Sequence, residues 1–265
     1  METTCICSDS LRQDRRQFYL KNFLTKQGYS VIVSTPNESL ELECNECHDN
    51  QIPKIILLPI PVSPSHIQRL LPKLTKEHMV MGGHLPAELL SYCKEHEITC
   101  IDYLKLPGLA MQNAVATAEG AICQGLLATE ETFQGSNVLV IGFGKCGEIL
   151  ADKLRGLNCN VYISTRNAEA QAKAVAYGFQ LHEEKNFSSY LLIYNTAPAM
   201  VIDKNVIDKL SQDTVIIDIA SAPGGTDFHY CIKKGIVAKH CPGLPGKYAP
   251  KTSAKIIYDK IRCLL

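Results

Sequence analysis

The sequence predicts an α/β protein built from two doubly wound parallel sheets, and three observations carry that reading. Short apolar runs alternate with helix-period segments from one end of the chain to the other, the pattern of βαβ units. One such run, Val138 to Ile141, leads into Gly142, Gly144 and Gly147 at G-x-G-x-x-G spacing, and a helical period resumes at Glu148. A last helical period begins near Pro250, after the second series of strands is complete. It is therefore expected to return to the first domain. The predicted organisation is a flavodoxin-like domain over 1–112 plus 250–265, a connecting helix over 113–130, and a Rossmann dinucleotide-binding domain over 131–249.

In the first domain, Thr3 to Ser8 reads as a strand and Asp14 to Gln27 as a helix with Phe18, Phe23 and Leu24 inward, stopped by Gly28. Tyr29 to Val33 is a second strand, and the acidic stretch from Pro36 to Asn50 a surface loop. Lys54 to Leu58, His78 to Met81 and Ile98 to Ile101 are further strands, with a helix over Glu88 to His96 opened by Pro86. The connecting helix, Asn113 to Thr129, carries Val115, Ala118, Ile122, Gly125 and Leu126 along one stripe, small enough for close packing.

The glycine-spaced turn is the strongest functional signal. Gly142 lets the chain leave the strand sharply, Gly144 removes a side chain where a pyrophosphate would approach, and Gly147 lets the helix lie close to the sheet. Phe143, Lys145 and Cys146 complete the loop, whose helix-start amides would face the phosphates. The helix beyond it places Ile149, Leu150, Leu154 and Leu157 inward. The following strand, from Asn160, ends in Ser164-Thr165-Arg166, where an acidic residue would hold an NAD ribose. A hydroxyl and a guanidinium there suit a 2′-phosphate, so NADP is the expected cofactor. A plain polar turn is the competing account.

Further on, Ala168 to Tyr177 is a helix, and strands run over Tyr190 to Tyr194, Val215 to Ile219 and Ile236 to Ala238. Asn195-Thr196-Ala197-Pro198 and Ala220 follow two of those strands, at carboxyl ends where a dinucleotide lies, and are candidate cofactor contacts. Gly224 and Gly225 would bring backbone amides to the site, with a tight turn as the alternative. The last helix turns Ala254, Ile257, Ile261 and Leu264 inward.

Composition removes several function classes. Lys plus Arg, at 27, equals Asp plus Glu, at 27, so no generic pull on nucleic acid or acidic membranes is expected. No apolar run approaches a membrane span, and the N-terminal residues lack the basic and apolar segments of a signal peptide. The 12 cysteines are scattered through strand and helix patterns, as in reduced cytoplasmic proteins. Cys44, Cys47 and His48 have metal-like spacing without a second pair, so no metal is expected.

Several stretches together resemble the A subunits of dipicolinate synthase, the enzyme of spore-forming bacteria that makes pyridine-2,6-dicarboxylate. They are Asp14-Arg-Arg-Gln17, Thr117-Ala-Glu-Gly120, Val140-Ile-Gly-Phe-Gly144 and Asn195-Thr-Ala-Pro198. The specific ones are the run from Asp218 through Gly224-Gly225 to Phe228, and Cys241-Pro-Gly-Leu-Pro-Gly-Lys-Tyr-Ala-Pro-Lys-Thr252. The layout also resembles alanine and D-2-hydroxy-acid dehydrogenases, although Ala222 stands where alanine dehydrogenases carry an acidic residue.

The resemblance implies NADP-dependent oxidation of dihydrodipicolinate, or of a hydroxylated tetrahydrodipicolinate, to dipicolinate. Its implied partner is a flavoprotein-like B subunit, and its implied location is the cytoplasm of the sporulating mother cell. A homo-oligomer is expected as well. Arg16, Lys251 and Thr252 are candidates for the substrate's two carboxylates, each with a surface residue or simple cap as the alternative. Glu119 and His84 are candidates for proton transfer. Two other readings stay open: a related NAD(P)-dependent dehydrogenase of a small amino or hydroxy acid, and a non-catalytic NADP-binding protein.

Overall fold

The computed structural model describes residues 14–33, 54–183 and 186–265. The expected strand at Thr3 to Ser8, the loop at Pro36 to Asn50 and the Cys44–His48 cluster lie outside the described residues. The chain divides into two compact units. One comprises the described residues up to Ala110 together with Pro250–Leu265, the other Met111–Ala249.

The first unit runs α1 (Arg16–Thr25), β1 (Val31–Val33), β2 (Lys54–Leu57), α2 (Pro64–Leu70), β3 (His78–Gly82), α3 (Ala87–Glu95) and β4 (Thr99–Asp102). Its strands pair in the order β1-β2-β3-β4, all parallel. Ile55, Ile56 and Leu57 are all buried because helices cover both faces. Ile56 and Val80 meet Ile67, Leu70 and Leu89 on one side. Ile55, Leu57 and Met81 meet Leu20 and Leu24 on the other.

Helix α1 buries Leu20 and Leu24 but leaves Phe18 exposed, against the sequence expectation, because position 18 lies off the stripe that 20 and 24 define. Helix α2 has no counterpart in the sequence reading. Its seven residues carry too little period to detect, and its signals are local: Ser63 accepts from the His66 amide at 3.2 Å, and Pro64 follows.

The second unit contains most of α4 (Leu109–Leu126), then β5 (Asn137–Ile141), α5 (Lys145–Gly156), β6 (Asn160–Ser164), α6 (Ala168–Ala176), β7 (Gln180–Leu181) and β8 (Leu192–Asn195). It continues with α7 (Lys204–Ile207), β9 (Val215–Asp218), α8 (Phe228–Lys234), β10 (Val237–His240) and α9 (Leu244–Tyr248). The sheet order is β10-β9-β8-β5-β6-β7, parallel throughout, so connections reverse direction at β5. That reversal opens the crevice in which doubly wound folds hold dinucleotides.

The buried stripe of α4 is Ala114, Ala118, Ala121 and Gly125, whereas Val115 and Leu126 are exposed one position off it. Gly125 is required for space: a side chain there would run into the buried Tyr194 ring. Leu157 is likewise exposed, because α5 has ended at its C-cap. Helix α10 (Pro250–Ile261) belongs to the first unit, where Ala254, Ile257 and Ile261 join Leu20 and Leu24 in one core. Leu264 lies beyond its end and is exposed, so the helical period no longer governs it.

Candidate functional site

At the end of β5 the chain turns through Gly142, whose φ of +90° is a left-handed conformation that favours glycine. Its amide donates to the Ser164 carbonyl at 2.8 Å, tying the turn to the end of β6. Gly144 is the N-cap of α5, and a methyl added to it would meet no atom within 4 Å. A methyl on Gly147 would strike the Gly142 carbonyl. The first-turn amides of Lys145, Cys146 and Gly147 have no acceptor within the helix. Open space over Gly144, beside three free-standing amides at the positive end of a 12-residue helix, fits a pyrophosphate.

The rest of this loop needs correction in one respect. Phe143 is buried against Phe179, ring centroids 5.7 Å apart, so its side chain is core and only its backbone borders the turn. Lys145 is exposed, and Cys146 is partly buried. Burial pushes the Cys146 thiol above its usual range, opposed by the Thr117 hydroxyl and the nearby Lys145 charge.

A cleft of 440 Å³ extends from this turn along the side of β6. Ser164, Thr165 and Arg166 line it with Ile141, Gly142 and Ala197, and with Lys209 across from them. Arg166 is exposed and makes no ion pair among the described residues. Asp203 also lines the cleft, but its oxygens accept from the Val206 amide at 3.1 Å and Asn205 Nδ2 at 3.3 Å, closing the start of α7. Asp203, Lys209 and His182 escaped sequence reasoning because nothing local ties them to β6.

The loops after β8 and β9 differ most from expectation. Asn195 is 0% exposed, and its amide nitrogen donates to Asp218 Oδ2 at 3.0 Å and to the Ala197 carbonyl at 3.1 Å, while its oxygen accepts from the Ala197 amide at 3.0 Å. It is thus an internal brace and does not present its side chain to a cofactor. Thr196 bonds the Ile141 carbonyl through both its amide, at 2.9 Å, and its hydroxyl, at 3.0 Å. Ala197 is half-buried and Pro198 exposed at the loop's outer face.

Gly224 and Gly225 are both buried, and their amides are already engaged, with the Ser221 carbonyl at 2.9 Å and Asp218 Oδ2 at 2.8 Å. They form a tight turn and offer no amide to a substrate. Ala220 is buried, its amide on Asp218 Oδ1 at 3.0 Å and its carbonyl facing His240 Nε2 at 3.0 Å. Asp218, the residue that gathers these bonds, was absent from the sequence candidates. The available signal was its register: Asn195 and Asp218 end adjacent apolar strands directly opposite one another.

In the first unit, Arg16 is only 8% exposed and holds Asp14 with Nε at 2.6 Å and a terminal nitrogen at 3.0 Å. Its fork is therefore already filled by a carboxylate, which removes the open two-pronged grip expected for a substrate. Lys251 and Thr252 are exposed in the first turn of α10. His84 sits on an exposed turn at φ 55°, with its amide near Asp102 at 3.3 Å. Glu119, on α4, is 57% exposed by side chain and paired with Lys153 at 2.9 Å. No described helix is long and apolar enough to cross a membrane, and no group of three or more potential metal ligands occurs among the described residues.

Residues 111–224 match the NAD-binding domain model of D-isomer specific 2-hydroxyacid dehydrogenases. The dipicolinate synthase A subunit of Bacillus subtilis (strain 168) is 36% identical over 191 residues, 71% of this chain and 64% of that protein. The chain thus spans somewhat less than two thirds of this curated relative. The crystal structure of the dipicolinate synthase A subunit from Bacillus halodurans superposes with a TM-score of 0.80 at 28% identity, covering 95% of this chain and 94% of the other. That of its counterpart from Bacillus subtilis gives 0.76 at 26% identity, covering 95% and 92%. The resemblance read from the sequence holds: in sequence and in fold this chain is a relative of the dipicolinate synthase A subunits.

Proposed function

We propose that the chain is the oxidising component of a dipicolinate synthase, taking dihydrodipicolinate, or a hydroxylated tetrahydrodipicolinate with loss of water, to dipicolinate with NADP. The observation that carries the cofactor choice is the end of β6, where Ser164, Thr165 and Arg166 border the 440 Å³ cleft and no carboxylate occupies that strand end. The relatives named above support the reaction.

When bound, the nucleotide supplies the two-electron acceptor. The chain supplies position. The amides at the start of α5 hold the pyrophosphate, and Ser164 with Arg166 holds a 2′-phosphate by charge-assisted bonds. Thr196, Ala197 and Pro198 border the far side of the glycine turn. Aromatisation of the ring drives the oxidation, so the site has to orient one ring carbon and receive one proton. Lys251 and Thr252, at a helix start, are the proposed carboxylate contacts; Arg16 contributes only together with its partner Asp14. His84 and Glu119 remain the proposed proton carriers, Glu119 after release from Lys153.

A flavoprotein-like B subunit, self-association and service in the sporulating mother cell complete the proposal. The test is absorbance at the reduced-nicotinamide band on the dipicolinate precursor, with the protein alone and then with a candidate B subunit. The band should grow with NADP⁺ and much less with NAD⁺. No growth with either nucleotide, with or without the partner, would overturn an enzymatic role.

A further inference from the structure

A dinucleotide that places its pyrophosphate over Gly144 and its adenosine over the end of β6 must lay its nicotinamide half toward β8 and β9, on the other side of the reversal at β5. The floor on that side consists of the loops after those two strands. They are joined around a single carboxylate. Asp218 is 0% exposed and accepts from Ala220 N at 3.0 Å, Gly225 N at 2.8 Å, Thr226 Oγ1 at 2.7 Å and Asn195 Nδ2 at 3.0 Å.

Around it the two loops are zipped together. The Gly225 carbonyl accepts from the amides of Val201 and Ile202, both at 2.9 Å, and the Asp227 amide returns to the Ile202 carbonyl at 3.0 Å. Gly225 fits only without a side chain, since a Cβ would come within 2.5 Å of Asn195 Nδ2 and 2.9 Å of the Ala197 carbonyl. Thr196, the residue after Asn195, bonds Ile141 beside the glycine turn. The carboxylate is therefore linked by short steps to the cofactor cradle, while it touches no open space itself.

We infer that Asp218 is a positioning residue for the nicotinamide half of the cofactor: it acts through Asn195 and Gly225 to hold the 196–198 edge at the height the ring requires. The inference rests on the dinucleotide reading above. Asparagine has nearly the same shape but offers an NH₂ where Asp218 receives only donors, so Asp218→Asn sets donor against donor. Remote residues that merely stabilise the fold would lower all affinities together through loss of folded protein. A positioning role separates the two halves of the ligand.

The experiment is calorimetric titration of the folded wild type and of Asp218→Asn with NADPH and with 2′,5′-ADP, which carries only the adenosine-side contacts. NADPH should bind the variant at least about tenfold more weakly, with the change in its reduced-ring fluorescence on binding reduced, while 2′,5′-ADP affinity stays within about twofold. Thr226→Val, which deletes one donor and keeps the carboxylate, should shift NADPH in the same direction by less, and it carries the test if Asp218→Asn does not fold. Equal loss for both ligands, or unchanged NADPH binding, would overturn the inference while leaving the dinucleotide reading intact. Failure of the wild type to bind either ligand would overturn that reading, and this inference with it.

Discussion

At Gly144 a methyl group added to the backbone would meet no atom of the protein within 4 Å; at Gly225 the same methyl would run into carbonyl oxygens of Ala197 and Ala199 and the side chain of Asn195. Both glycines lie in loops that leave the carboxyl ends of strands in one sheet, and both look alike in the sequence. One clears space for something other than protein. The other clears space for the protein itself. A glycine-rich loop thus has two physical origins, and only the surrounding atoms distinguish them. Gly144 is exposed at a helix start with unpaired first-turn amides; Gly224 and Gly225 are buried, with both their amides bonded.

The sharpest way to break this comparison is Gly144→Val. Its φ of −89° suits any residue, and a Cβ there meets no atom within 4 Å. The cost to stability should be no more than about 1 kcal/mol, the difference between glycine and a poor N-cap. NADPH binding should be lost altogether. Near wild-type affinity in a folded variant, measured by calorimetry, would remove the cofactor from this loop.

Next in size is Arg166→Ala, which deletes one charged contact to a 2′-phosphate. NADP should weaken by about 1.5–3 kcal/mol, the worth of a hydrogen bond to a charged group, while NAD stays nearly unchanged. Ser164→Asp should tilt preference further toward NAD by restoring the carboxylate that a ribose hydroxyl favours. Parallel loss for both nucleotides in Arg166→Ala would make the arginine structural.

The converse experiment on the buried loop is Gly225→Ala. One methyl forced into filled space should cost about 1–3 kcal/mol of folding free energy, read as a lower midpoint in urea. A variant as stable as wild type would mean that the two loops can move apart, and that Gly225 is not a packing glycine.

The smallest effect concerns the thiol beside the open loop. Because burial raises the Cys146 pKa, less thiolate is present at neutral pH than on an ordinary cysteine, and its alkylation should lag behind that of the exposed Cys263. The lag should shrink as pH rises toward the thiol's own range. Mass spectrometry of iodoacetamide-treated protein measures this, and faster labelling of Cys146 would contradict the burial argument.

How much of this was legible beforehand depended on distance along the chain. Val138 to Ile141 announced a strand buried on both faces, and all of Val138, Leu139, Val140 and Ile141 are buried. The glycine spacing was also a local pattern and readable, whereas the return of the last helix followed from element order, since that helix comes after the second series of strands is complete. Helical periods failed where a helix stopped, as at Leu157 and Leu264, because the period says nothing of its own end, and at Phe18 and Val115 because the apolar stripe was set one or two positions off its buried line. The inward turn of Asn195 was out of reach for a different reason: its partner Asp218 belongs to the next strand, and pairing across strands is set by register. Arg16 failed similarly, since a buried arginine looks the same in sequence whether its fork is filled by Asp14 or open to a ligand.

The discontinuity of the first unit has a consequence for the order of events on the ribosome. Ile55, Leu57 and Met81 of the first sheet share their core with Leu20 and Leu24 of α1 and with Ala254, Ile257 and Ile261 of α10. While the chain is being made, α1 alone can cover that side of the sheet until α10 has emerged, and α10 follows the last strand of the second sheet. Domains ordinarily fold in the order they are synthesised. Here the strands of the later unit are all made before the earlier unit is complete, and the earlier one waits with the part of its apolar face that α10 covers still open, so a nascent chain stalled before Pro250 would be the form most in need of a chaperone.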